Sequence, residues 1–71
     1  MSDILSGMWK QLRGNVKQTW GKLTDDDIAM IDGQRDKLVG KLQERYGYSK
    51  AQADDQVDEF LSRYRDTAHP M

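Results

Sequence analysis

The sequence predicts an all-α fold of four helices. Apolar residues recur every three or four positions along most of the chain, and no segment alternates apolar and polar residues as a strand would. Helix-capping and helix-stopping residues divide the 71-residue chain into four such segments. A chain of this length allows one domain, so residues 1–71 are expected to form a single unit. Without cysteine, its stability must come from helix packing and caps.

The first predicted helix carries one apolar stripe and one basic face. Gly21 directly follows the last stripe residue and is expected to end the helix. The basic face carries Lys10, Arg13 and Lys17. The stripe residues, which mostly step by three or four, are Leu5, Met8, Trp9, Leu12, Val16 and Trp20.

The second helix is predicted to start at Thr24, in a junction with a sharp change of charge. The Thr24 hydroxyl can cap the helix, and Asp27 stands three residues later, as in a capping box. Leu23 and Ile28 occupy the two positions of a hydrophobic staple. Residues 25–27 are all aspartates, which the helix dipole favours in a first turn. The helix is expected to end near residues 32–33, at Asp32-Gly33.

The third and fourth helices follow the same logic. One is predicted from about Gln34 to Tyr46, with Gly47 as a left-handed stop. Ser49 and Gln52 form a second capping box, which opens a helix of about residues 50–65. Residues 67–71 are interpreted as a frayed, disordered tail. The residues expected to face inward are Leu38, Leu42 and Tyr46, then Ala53, Val57, Phe60, Leu61 and Tyr64.

Gly14 and Gly40 fall inside predicted helices. Each should cost about 1 kcal/mol relative to alanine. Close approach of two backbones is the simplest compensation, with a helix kink as the alternative. If close approach is correct, replacing Gly40 with leucine should destabilise the fold.

Several of these residues together resemble the CsbD-like family of small bacterial proteins. The resemblance covers about residues 9–47 and continues more weakly through the fourth helix, leaving out the first eight residues and the tail. It implies a four-helix bundle of two hairpins packed crosswise, as in SAM-like domains, and a link with the general bacterial stress response. It supplies no catalytic residues. The residues that form this structural signature are Trp9, Gly14, Trp20, Gly21, Thr24, Asp27, Gly33, Gly40, Tyr46, Gly47 and Ser49.

The residues give little support to catalysis or to a cofactor or metal site. His69 is the only histidine and lies in the tail, and there is no cysteine nucleophile. Consecutive aspartates at 25–27 point in different directions on a helix, unlike calcium-loop ligands. We therefore expect a non-enzymatic protein without a cofactor.

Three kinds of partner remain open. Between Ile4 and Leu23 there is no acid, and the charged side chains are Lys10, Arg13, Lys17 and Lys22. This basic face is either simply solvated or a weak nucleic-acid or anionic-surface site. The apolar stripe of the first helix is either core or a membrane-surface or partner-helix face. The acidic last third of the chain could also attract the basic first helix within or between molecules, giving a weak, salt-sensitive dimer.

The composition favours a soluble protein. The net charge of −1 argues against a globally basic nucleic-acid binder. No segment approaches the roughly 20 apolar residues of a transmembrane helix, and no signal peptide is recognised. A cytoplasmic location is expected.

Overall fold

The computed structural model describes residues 4–67, with side chains to Tyr64, and within this part the regular secondary structure is helical, without strands. The all-α prediction is confirmed. The crosswise packing of two hairpins stays a prediction. The five helices are α1 Ile4–Gly7, α2 Trp9–Thr19, α3 Asp25–Ile31, α4 Arg35–Tyr46 and α5 Lys50–Thr67.

The first predicted helix is divided in two, which raises the count from four helices to five within the described residues. Met8, with φ −115° and ψ 18°, separates α1 from α2 and makes no side-chain cap. Gly7 precedes the break, and glycine has the poorest helix propensity after proline. At the other end, α2 stops at Thr19, so its C-cap is Trp20 and not the expected Gly21.

The apolar faces of all five helices contribute to one core. Trp20 joins the end of α2 to α5 through Phe60, with ring centroids 5.1 Å apart, and Phe60 also contacts Tyr64. Tilted aromatic pairs at such distances add to the gain from burial. The inward set predicted for α5 is confirmed, with Tyr64 partly buried. The buried apolar residues are Leu5, Leu12, Val16, Trp20, Leu23, Ile28, Ile31, Leu38, Val39, Leu42, Ala53, Val57, Phe60 and Leu61.

Both predicted capping boxes are confirmed. The Asp27 amide donates to Thr24 Oγ1 at 3.1 Å, and the Thr24 amide donates to Asp27 Oδ2 at 3.0 Å. Ser49 and Gln52 repeat this exchange at the start of α5, at 3.1 and 3.0 Å. Gly47 has φ 72°, so it is the left-handed C-cap of α4 that the sequence predicts.

The predicted close approach at Gly14 and Gly40 is wrong. Both glycines are exposed, and a Cβ added at either would meet no atom within 4 Å. The expectation that leucine at position 40 would clash loses its basis, because the space there is open. The close approach lies instead at Gly33, where φ is 79° and a Cβ would stand 3.1 Å from Trp9 Cβ and 3.3 Å from Ser6 Cα.

The C-terminal helix is longer than expected. The sequence places its end near Arg65, whereas α5 continues through Thr67, the first residue of the predicted tail. The remaining tail residues, 68–71, lie outside the described residues.

Candidate binding groove

An open groove of about 1000 Å³ lies between α2 and α3. We call it the α2–α3 groove. Residues of α2 spaced three, four and seven apart contribute one side of it, as expected for one face of a helix. Its lining residues are Trp9, Lys10, Arg13, Gly14, Lys17, Gln18, Gly21, Asp25, Ile28, Ala29 and Asp32.

Small residues keep this groove open. Gly14 and Gly21 contribute no side chain, and a Cβ at either would enter empty space. Ala29 adds only a methyl group from α3, beside the buried side chain of Ile28. The exposed glycine of α2 therefore opens a concavity, where the sequence suggested a helix contact.

Three of the four predicted basic-face residues line the groove, but they differ in their partners. Lys17 forms a salt bridge with Asp25 across the groove. Lys10 and Arg13 form no ion pair with any residue in the described part of the chain. These two cations therefore remain available to an external anion.

The fourth predicted residue, Lys22, lies elsewhere. Its amide donates to the Tyr46 hydroxyl at 3.2 Å, and its ammonium lies 5.1 Å from the centre of the Tyr46 ring. A cation over an aromatic face is attracted by the ring quadrupole. Lys22 thus connects the α2–α3 junction to the end of α4, where Tyr46 also stacks on Tyr48 at 5.3 Å.

The groove is electrically asymmetric. Lys10 and Arg13 lie on the α2 side, whereas Asp25 and Asp32 line the α3 side. An anion is therefore attracted to the α2 side and repelled from the other. Asp32 is the C-cap of α3 and has the left-handed backbone conformation, with φ 45°.

The two tryptophans of the apolar stripe have different environments. Trp20 is 3% exposed and belongs to the core. Trp9 is partly buried, packs against the core and also lines the groove. Gly33 of the α3–α4 turn lies against the base of this side chain, since a Cβ added there would stand 3.1 Å from Trp9 Cβ and 3.3 Å from Trp9 Cγ.

Sequence reasoning gave Asp27 a capping role and missed its ion pairs. The side chain is 2% exposed and lies between α3 and α4. Arg45 donates to its two oxygens from Nε and Nη2, at 2.8 and 3.0 Å, and Lys41 Nζ lies 3.2 Å from Oδ1. The available signal was the i, i+4 spacing of these two cations on the α4 turn that flanks buried Leu42.

The environment of Asp27 fixes its charge. The hydrogen bond from Arg45, followed by that from the Thr24 amide, holds the pKa of the Asp27 carboxyl far below its ordinary value. The hydrogen bond to Asp27 in turn raises the pKa of Lys41. A carboxylate held ionised in this way cannot act as a general acid near neutral pH, so the role of Asp27 is structural.

Other site chemistries find little support in the described residues. Among them, no three or more His, Cys, Asp or Glu side chains come together as metal ligands. Asp25 and Asp26 are exposed while Asp27 is buried, so the three aspartates face different surroundings. Over the same range, none of the helices has both the length and the apolar character needed to cross a bilayer.

The remaining signature residues have structural positions. Gly40 lies on the exposed face of α4, and Gly33, Gly47 and Ser49 lie in the turns that flank α4. Within the signature, Trp9, Gly14 and Gly21 are the residues that line the groove. The signature therefore combines helix caps with part of one concave surface.

Comparison with known proteins identifies the family. The CsbD-like family model matches residues 3–55, which includes the segment before Trp9 that the sequence resemblance left out. The chain is 58% identical to the UPF0337 protein YjbJ of Escherichia coli O6:H1 over 62 residues, covering 87% of this chain and 90% of that protein. It is 55% identical to the UPF0337 protein PA4738 of Pseudomonas aeruginosa over 62 residues, covering 87% and 95%. The chain belongs to the CsbD-like family of bacterial proteins.

Proposed function

We propose that this protein acts without catalysis, as a cytoplasmic binding protein of the general bacterial stress response. Family membership supports the stress role. The α2–α3 groove supports binding as the mode of action, because it brings two cations without acidic partners beside a partly buried tryptophan.

The partner class that the groove fits best is nucleic acid, and single strands in particular. Lys10 and Arg13 can meet backbone phosphates, and the adjacent Trp9 offers an aromatic side chain for a base. Duplex binders usually insert a helix or strand into a groove of the DNA, whereas here the cations and Trp9 line a concavity of the protein. With so few cations, the affinity should be weak and its dependence on salt modest, with a slope of log K against log salt of about −0.7 for each cation engaged.

The membrane alternative is less favoured. Most of the apolar stripe that would enter a lipid surface is already packed in the core, with Leu12, Val16 and Trp20 at 1%, 0% and 3% exposure. Lipid binding through this stripe would require α2 to leave the bundle. Such a step would cost the burial of three large side chains, about 1.5 to 3 kcal/mol each.

Fluorescence anisotropy with labelled single-stranded DNA, RNA, duplex DNA and anionic vesicles tests the proposal. We expect binding to single strands at about 50 mM salt and, with two phosphate contacts, a loss of affinity of about sevenfold by about 200 mM. Lys10→Gln and Arg13→Gln should each weaken binding and lower the slope of log K against log salt by about 0.7. Lys50→Gln, which removes one cation at the start of α5, is the matched control and should change binding little.

Two outcomes would contradict the nucleic-acid proposal. One is binding that Lys10→Gln and Arg13→Gln leave unchanged. The other is a response to vesicles without any response to nucleic acid, which would favour the membrane alternative. Thermal melting of each variant shows whether the fold is retained, since both side chains are exposed and their loss should not affect the core.

A further inference from the structure

A second concave surface lies on the α3–α4 side of the molecule. It is a shallow depression of about 350 Å³ lined by Met30, Lys37, Gly40, Lys41 and Glu44, and we call it the Met30 patch. None of these residues lines the α2–α3 groove, so the patch is a separate surface.

Two features of the patch have no explanation within the chain. Met30 is 57% exposed, and no other large hydrophobic residue in the described part of the chain is exposed. Gly40 weakens the interior of α4, yet a side chain there would meet no atom of this molecule within 4 Å. Met30 protrudes beside a depression at Gly40, so the patch offers both a projection and a recess to a second surface.

The charges of the patch identify the partner. Lys37 forms no ion pair with the described residues. Glu44, seven positions later, is 60% exposed, and within the described part of the chain it pairs with Lys41 alone. Gly40 lies between them. If two α4 helices cross antiparallel at this glycine, Lys37 of each copy faces Glu44 of the other. Such mutual pairing is the property of a two-fold symmetric contact.

We propose that the Met30 patch is a self-association surface and that its partner is a second copy of this chain. Gly40 allows the two α4 helices to approach closely, and Met30 of each copy covers the depression of the other. Lys41 lies between Asp27 and Glu44, so Glu44 can exchange its exposed contact with Lys41 for Lys37 across the interface while Lys41 keeps its contact with Asp27. The patch is small, so the dimer is weak and forms at high protein concentration.

This route differs from attraction between the basic first helix and the acidic end of the chain. Within the described residues no ion pair joins α2 to α5, and Asp54 and Asp58 of α5 are paired with Arg35. The two routes use different residues and can be separated by charge reversal.

Sedimentation equilibrium over a wide concentration range tests the proposal. The wild type should change from an 8.2 kDa monomer towards a dimer as its concentration rises. Lys37→Glu should weaken dimerisation at least about tenfold, because it places like charges opposite each other. The double variant Lys37→Glu/Glu44→Lys should recover much of the loss, since the pairs re-form with reversed sign. Met30→Lys should weaken the dimer as well.

A cysteine cross-link gives an independent measurement. The chain has no cysteine, so Gly40→Cys introduces a single thiol near the expected symmetry axis and should form a disulfide-linked dimer on mild oxidation. Gly14→Cys is the matched control, because it also replaces an exposed helix glycine with open space around it, and it should cross-link much less. A wild type that stays monomeric throughout would overturn the proposal. So would a dimer that Lys37→Glu leaves unchanged, or equal cross-linking at positions 14 and 40.

Discussion

Replacing Asp27 with alanine should destabilise the protein more than any other single loss of a cap. Asp27 occupies the N3 position of the first capping box and also accepts from Arg45 and Lys41. Loss of a cap costs about 1 kcal/mol, and hydrogen bonds to charged groups contribute about 1.5 to 3 kcal/mol. Removing one partner of a fully buried ion pair costs about 3 to 5 kcal/mol.

The exposure of the two cations decides where in this range the loss falls. Arg45 is 40% exposed and Lys41 is 16% exposed, so water can partly solvate both when Asp27 is removed. We therefore expect a loss near the lower bound, about 3 kcal/mol. A core of this size supplies about 3 to 5 kcal/mol in total, so Asp27→Ala should melt roughly 12 to 24 °C lower or unfold in part at room temperature.

Urea and thermal denaturation, followed by far-ultraviolet circular dichroism, measure this loss. Gln52→Ala is the matched control, because Gln52 holds the same N3 position in the second capping box and is exposed. It should lose only about 1 kcal/mol. Asp27→Asn keeps an oxygen for the cap but removes the charge, so it should fall between the two.

The comparison can refute the reasoning directly. Equal losses for Asp27→Ala and Gln52→Ala would mean that the contacts with Arg45 and Lys41 contribute nothing net to stability. An Asp27→Asn variant as stable as the wild type would lead to the same conclusion. In either case Asp27 would have only the capping role that the sequence predicts.

Three further predictions concern glycines and pH. Gly33→Ala should lose about 2 kcal/mol or more, measured by urea denaturation, because alanine is strained at φ 79° and its Cβ would crowd Trp9; an unchanged midpoint would contradict this. Gly14→Ala and Gly40→Ala should each raise stability by about 0.5 to 1 kcal/mol, since helix propensity improves in open space, and a lower melting temperature would show a contact. Because the folded pKa of Asp27 lies below its ordinary value of 3.8, its contribution is fully present above about pH 4 and is lost as the pH falls towards the folded pKa. The stability difference between wild type and Asp27→Asn should therefore shrink in acid, and a constant difference would be inconsistent with the ion pairs.

The sequence predicts the local features of this fold well. Capping boxes depend on residues three positions apart, and helix stops depend on single glycines, so Thr24, Ser49 and Gly47 can be assigned without tertiary information. The apolar period likewise finds the core residues of α5. The break at Met8 is less visible, because the apolar stripe continues through Leu5, Met8 and Trp9 and so masks the helix-weakening Gly7.

The features that depend on how helices meet could not be predicted in the same way. A glycine inside a helix indicates either that a side chain would clash there or that none is needed, and the sequence does not show which. In the structure, Gly14 and Gly40 both lie in open space. The pairing of Asp27 with Arg45, 18 residues away, depends on how α3 and α4 pack. The capping role of Asp27 was sufficient to explain the residue locally, and so the ion pairs were missed.

The same long-range pairing explains how a nearly neutral chain can present a basic site. The net charge is −1. On α4 and α5, however, several cations lie beside an acid, namely Arg35, Lys41, Arg45 and Lys50. Charges further apart than about 8 Å are largely screened at physiological salt, so a ligand responds to the local balance and not to the total. On α2 that balance is positive, because Asp25 matches Lys17 and leaves Lys10 and Arg13 without an acid. Removing the acid with Asp25→Asn should then strengthen anion binding in the groove, whereas Asp26→Asn, one residue away and outside the groove lining, should have a smaller effect.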